Sequence, residues 1–168
     1  IEHDDFMEVP PKKFFRLSVG SEVRLRYAYG ISCKQAIKDE QGNIIELRCT
    51  YDPDTGGGKT SDGRKIKGII HWVSASQGVP VIVNLLDRLF NVEEPWSSEN
   101  FTDNINEQSL EVCTTAIAEP LLAQSATSDV FQFERLGYFC RGKTELKSAI
   151  IFNRTATLRD TWAKMSKR

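Results

Sequence analysis

The chain has 168 residues, 40% of them hydrophobic, and a formal net charge of −1, which is enough for one ordinary domain or two small ones with a packed core. No run resembles a membrane span or a secretory signal, and the near-neutral charge supplies no global attraction to nucleic acid. Cys33, Cys49, Cys113 and Cys140 are far apart in sequence, without a Cys-x-x-Cys, and His3 and His71 are the only histidines; this excludes the common zinc spacings and leaves reduced thiols in a cytoplasmic protein.

Charge is uneven along the chain. Pro11 to Gly30 holds five Lys/Arg against one Glu, a local +4, and Arg154 to Arg168 holds five against one Asp. Glu93 to Glu111 carries six carboxylates and no basic residue. Basic runs are usually solvated faces, so the asymmetry tilts only slightly toward an anionic partner.

Helical periodicity is scarce. "EVRLRYAYGISC" alternates as a strand, with Val23, Leu25, Tyr27 and Tyr29 on one face and Arg24, Arg26 and Ala28 on the other. "KDEQGNIIELRCTY" supplies a turn at Gln41-Gly42-Asn43 and a returning strand, hence a hairpin. "TYDPDTGGGKTSDGRKIKG" holds Gly58-Lys59-Thr60, the end of a phosphate-binding P-loop. Pro53 stands where that motif needs its first glycine, and Ser61-Asp62-Gly63 signals a turn where it needs a helix. The stretch is therefore expected to be a glycine-rich hairpin tip.

Beyond it, "RKIKGIIHWVSA" and "VPVIVNLLDRLF" look like two strands joined by a polar loop through Gly78 and Pro80. Pro95 to Gln108 is loop-like, and a short helix is expected after Pro120. "VFQFERLGYFC" and "AIIFNRTATL" alternate again, with Phe131 and Phe133 directed into the core and Gln132 and Glu134 on the other face. Many strands punctuated by Gly, Pro, Asn and Asp make an all-β barrel or sandwich.

The alternation places Arg24 and Arg26 on one strand face, about 7 Å apart. Forked guanidiniums there, and an amide beside a carboxylate at Gln132 and Glu134, can read the edges of unstacked bases. Ordinary solvent-facing residues paired across strands would show the same pattern.

Taken together, "EVRLRYAY", "CTYDPDT", "DGRKIKGIIHWVSA", "LLDRLF", "FQFERLGYFC" and "IFNRTATLRDTWAK" resemble the C-terminal anticodon-binding region of bacterial glutaminyl-tRNA synthetase, in the family's order and over nearly the whole chain. The resemblance implies two β-barrels that grip the anticodon loop of glutamine tRNA, with residues of about 10–90 in the distal barrel and about 91–168 returning to the proximal one. Since the chain starts at Ile1, mid-protein by the resemblance, one barrel is expected to be incomplete at its N-terminus. By the same resemblance Arg24 and Arg26 contact the first anticodon base. Gln132, Glu134 and Arg135 surround the second and third, Arg16 adds an arginine at the third, and Thr161 lines the same area. A glutamate facing phosphates would be repelled, so Glu134 beside Arg135 suits a base edge.

The run Gly56-Gly57-Gly58 and the segment from Asn100 to Asp129 depart from the family pattern. Lys164-Met165-Ser166-Lys167-Arg168 spells the class I loop that stabilises ATP, but no HIGH-type partner or nucleotide-binding βαβ unit accompanies it, so it reads as a basic tail. The resemblance implies a fragment that is non-catalytic and needs no cofactor of its own. The full-length protein is then an ATP- and magnesium-dependent glutamine-tRNA ligase, cytoplasmic and monomeric, whose catalytic domain is this region's partner along with the tRNA. The alternatives are the matching region of a non-bacterial glutamyl-tRNA synthetase, a β-barrel protein-interaction module, and an ATP-using enzyme.

Overall fold

The computed structural model describes residues 1–56, 58, 60–143 and 149–158, and it contains β-strands and short 3-10 turns. Contacts divide the chain into two units, 1–72 and 73–168. The all-β expectation holds in both.

In the first unit β1 (Glu22–Leu25), β2 (Gly30–Lys38), β3 (Ile44–Asp52) and β4 (Gly68–Ile70) form one sheet in the order β3-β2-β1-β4. The β2–β3 hairpin arises where the sequence places it. Asp39 accepts hydrogen bonds from the backbone N–H of Gln41 (3.0 Å) and Asn43 (2.7 Å) and from the Asn43 amide (2.9 Å). Gly42 supplies the left-handed residue, at φ 86°. These bonds, led by the one from the Asn43 side chain, hold the Asp39 carboxyl below its ordinary range.

Three expectations change here. "EVRLRYAYGISC" is two strands, because the chain turns at Arg26–Tyr29, closed by the Ala28 N–H on the Leu25 carbonyl at 2.8 Å. "RKIKGIIHWVSA" contributes only Gly68–Ile70. The glycine-rich stretch is not a hairpin tip: β4 runs parallel to β1 on the far side of the sheet from β3, so residues 53–67 are a crossover. Gly68 is required there. A β-carbon at that position would lie 2.4 Å from the Phe15 carbonyl oxygen, which crosses the strand at that point. The core beneath is Leu17, Val23, Cys33 and Ile70, flanked by Phe6, Leu25, Ile31 and Leu47. Cys33 stands directly across the ladder from Cys49, although 16 positions separate them in sequence.

The second unit holds β5 (Val79–Leu86), β6 (Leu110–Ala118), β7 (Val130–Phe133), β8 (Gly137–Arg141) and β9 (Ile151–Ala156), in the order β6-β5-β9-β8-β7. β9 lies parallel to β5 and antiparallel to β8. The Asn84 amide donates to the Asn153 side-chain oxygen across the parallel pair at 2.8 Å. The core is Val81, Val83, Ala118, Phe139 and Phe152, and Phe131 and Phe133 pack against it as their alternation requires. Phe133 stacks on Phe139 with centroids 4.3 Å apart, and Phe131 and Phe133 both meet Phe152 edge-on.

"VFQFERLGYFC" is again two strands with a turn between them rather than one. The helix expected after Pro120 is a 3-10 turn, Pro120–Gln124. β6 has no counterpart among the strands expected from the sequence. It is an edge strand whose side chains are mostly exposed, so apolar alternation is weak along it. Among the described residues the two edge strands of each sheet, β3 and β4 in the first and β6 and β7 in the second, do not pair with each other.

Candidate nucleic-acid interface

Arg24 sits on β1 between Gly30 of β2 and Ile69 of β4. Its Nη1 donates to the Thr55 carbonyl at 2.6 Å and the Ala28 carbonyl at 3.1 Å. Both hydrogens of that nitrogen are thereby engaged, which leaves Nε–H and the Nη2 pair of the fork for other acceptors. Thr55 is itself fully buried. Its hydroxyl accepts from the Gly30 N–H at 2.7 Å and donates to the Asp52 carbonyl at 2.5 Å, fixing the 3-10 turn Pro53–Thr55 against β2.

Arg26 lies one residue past the end of β1, so the two arginines do not share a regular strand face. The Arg26 N–H donates to the Ile70 carbonyl at 2.9 Å, and its carbonyl accepts from the Trp72 indole at 3.2 Å. The guanidinium carbon stands 5.0 Å from the centre of the Tyr27 ring. Tyr27, expected on one strand face with Val23 and Leu25, is instead 93% exposed in a turn and has φ 61°. The turn takes it out of the alternation. Arg16 lies before β1 and faces the N-terminal segment, donating from Nη1 to the Asp4 carbonyl at 2.7 Å and placing Nε 3.6 Å from the buried Asp5 carboxylate.

In the second unit Gln132 is exposed on β7, opposite Tyr138. Glu134 and Arg135 are the central residues of the β7–β8 turn, closed by the Leu136 N–H on the Phe133 carbonyl at 3.0 Å, and Arg135 has φ 63°. The structure thus brings Gln132, Glu134 and Arg135 to one hairpin end, and Arg24 and Arg26 to another turn of the same form. Each turn follows a strand, carries a charged residue second and a strained non-glycine residue third. Such outliers concentrate where a surface has work besides folding. Thr161, Lys59 and the basic tail lie outside the described residues.

Around the GKT stretch the chemistry is acidic. Arg64 donates to Glu22 (Nη2 2.8 Å, Nε 3.1 Å), to Asp62 at 2.6 Å and to Asp52. These carboxylates, Glu22 foremost, keep the guanidinium charged well beyond its usual range, and their bonds to Arg64 hold Asp52 and Asp62 below theirs. Arg64 was not among the candidate residues; a lone Arg after an Asp-Gly turn gives no hint of two further carboxylates 12 and 42 positions away. No helix follows to cradle a phosphate, since the next element is β4. No group of three or more metal-ligating side chains gathers among the described residues. The second unit also has an open cleft of about 710 Å³ between Asp87, Arg88, Glu107, Glu111 and Arg154, where opposite charges are mixed and no single sign prevails.

Two family models, both described as "tRNA synthetases class I (E and Q), anti-codon binding domain", match residues 1–52 and residues 69–141, together about three quarters of the chain. A glutamine–tRNA ligase of Nitrobacter hamburgensis is 52% identical over 166 residues, which cover 99% of this chain and 29% of that protein. One of Pseudomonas putida is 54% identical over 166 residues, with 96% and 29% covered, and one of Vibrio vulnificus is 49% identical over 166, with 98% and 30% covered. The chain spans about three tenths of the length of these curated relatives. With two β-sheet units in the same order as the two matches, the chain belongs to the anticodon-binding domains of the class I tRNA synthetases for glutamate and glutamine.

Proposed function

We infer that this chain recognises the anticodon loop of glutamine tRNA, as a non-catalytic part of a glutamine–tRNA ligase. The observation that carries this reading is the roughly half identity, over nearly the whole chain, to proteins named glutamine–tRNA ligase. The surface chemistry supports it. Arg24 retains three donors of its fork, Gln132 offers a donor and an acceptor, and Glu134 accepts from a base N–H. Arg16, Arg24, Arg26, Gln132, Glu134, Arg135 and Thr161 are proposed as the residues that meet the loop, with basic groups on phosphates fixing register. The distal and proximal barrels are proposed to correspond to the two units, with the change at Trp72.

In the whole enzyme ATP, with magnesium, would serve the part of the protein that this chain does not contain. That catalytic part and the tRNA would be its partners, in a cytoplasmic monomer. Glutamate tRNA is the nearest rival ligand, because the matching family models describe both specificities. Titrating the chain with glutamine and glutamate tRNA anticodon stem-loops at two salt concentrations decides the matter. Tighter, salt-sensitive binding of the glutamine loop is expected. Equal or absent binding of both loops would overturn the reading.

A further inference from the structure

The backbone around Tyr27 is tied down on every side. The Leu25 N–H donates to the Tyr29 carbonyl at 2.9 Å, the Ala28 N–H to the Leu25 carbonyl at 2.8 Å, and the Arg26 N–H to the Ile70 carbonyl at 2.9 Å. The Trp72 indole holds the Arg26 carbonyl and Arg24 holds the Ala28 carbonyl. Within this clamp Tyr27 takes the left-handed conformation that favours glycine or asparagine, at φ 61°. A tyrosine there is unfavourable for the fold, and at 93% exposure its ring recovers nothing by burial. One face of the ring carries the Arg26 guanidinium at 5.0 Å, and the other is open to solvent.

An exposed aromatic plane carried on a fixed backbone, with a cation over one face and the other open, is what an unstacked nucleobase packs against. We propose that Tyr27 is a base-stacking residue, receiving on its open face one unpaired base of the single-stranded RNA loop. The proposal rests on the RNA-binding reading above and adds a contact of a different kind from the base-edge contacts named there. Stacking is tolerant of base identity, so Tyr27 adds affinity and fixes the position of the strand, while discrimination is left to the hydrogen-bonding side chains.

The test uses the 168-residue chain and glutamine tRNA anticodon stem-loops carrying 2-aminopurine at single loop positions. The wild type and Tyr27→Phe should bind alike and quench the fluorophore at one position. Tyr27→Gly should lose that quench and bind about 5- to 150-fold more weakly, with an unchanged dependence on salt. Its melting temperature should be equal or higher, because glycine relieves the left-handed strain. Wild-type affinity and quench in Tyr27→Gly would overturn the proposal and leave the RNA-binding reading intact. A lowered melting temperature would also overturn it, since the ring would then serve the fold. Absence of binding by the wild type itself would remove both.

Discussion

Thr55 is the residue on which the first unit's crossover is hung, and replacing it with valine isolates the contribution of one hydroxyl. The side chain is fully buried and nearly the same shape as valine. In Thr55→Val the Gly30 N–H, itself buried, loses its 2.7 Å acceptor, and the Asp52 carbonyl loses its 2.5 Å donor. One buried amide left unsatisfied costs roughly 1–3 kcal/mol. For a unit of this size that corresponds to a fall of roughly 5–20 °C in melting temperature. Thr55→Ser keeps both hydrogen bonds and removes one buried methyl, which costs about 1 kcal/mol or less. The expected order of stability is therefore wild type, then serine, then valine, with the urea midpoint moving and the slope of the transition constant. Thermal and urea unfolding followed by circular dichroism measure this, and amide exchange at Gly30 reports the lost bond directly. A valine variant as stable as the serine variant would refute the reasoning, because it would mean that the Gly30 amide finds water or another acceptor at no cost.

Four further outcomes are expected. Neither ATP nor GTP should bind this chain, and a 1:1 micromolar site found by calorimetry would contradict the crossover reading of the GKT stretch; Lys59→Ala should leave the melting curve unchanged. Arg24→Ala and Arg26→Ala should each weaken binding of the glutamine loop by about 1–3 kcal/mol and relax discrimination at one base, whereas an equal loss for every loop sequence would make them phosphate contacts. Glu134→Gln should lower discrimination between anticodon loops at an unchanged melting temperature; a lowered melting temperature with unaltered preference would make Glu134 structural. Cys49 is exposed as a residue, but partial desolvation of its thiol, followed by the proximity of Cys33, pushes that thiol up to about 11. A disulfide reagent at pH 8 should therefore react with it on the order of tenfold more slowly than with an ordinary thiol, a roughly hundredfold smaller thiolate fraction being partly offset by the greater nucleophilicity of the more basic thiolate. Because the folded chain holds this proton more tightly than the unfolded one, the associated stability is complete below the unfolded value and is lost as pH rises toward 11.

What could be foreseen from the sequence followed the range of the interactions. The Gln41-Gly42-Asn43 turn and the inward Phe131 and Phe133 are local patterns, and they stand as expected. The turn at Arg26–Tyr29 was hidden because its left-handed residue is a tyrosine, which extends the apparent alternation instead of breaking it. The same disguise covers the β7–β8 turn, whose third residue is Arg135. Pairings of β1 with β4 and of β5 with β9 join segments with no local signature, so the crossover looked like a hairpin. Arg24 looked free to reach outward, yet the carbonyl that holds its Nη1 belongs to Thr55, 31 residues on. Family membership was legible because short, individually weak segments occur in a fixed order, which needs no knowledge of what each side chain touches.

The place of β9 in the second sheet has a consequence for how the protein is made. Ile151–Ala156 leaves the ribosome after the other four described strands of its sheet, yet it lies in the middle of that sheet, with β5 on one side and β8 on the other. Until it is synthesised, β5–β6 and β7–β8 are two separate hairpins, and a lone hairpin is marginal in water. The turn bearing Glu134 and Arg135 then has no sheet behind it. A chain cut short before Ile151 would carry every one of those residues and still fail to hold them, so a prematurely ended product is disarmed by its own topology and left open to proteolysis.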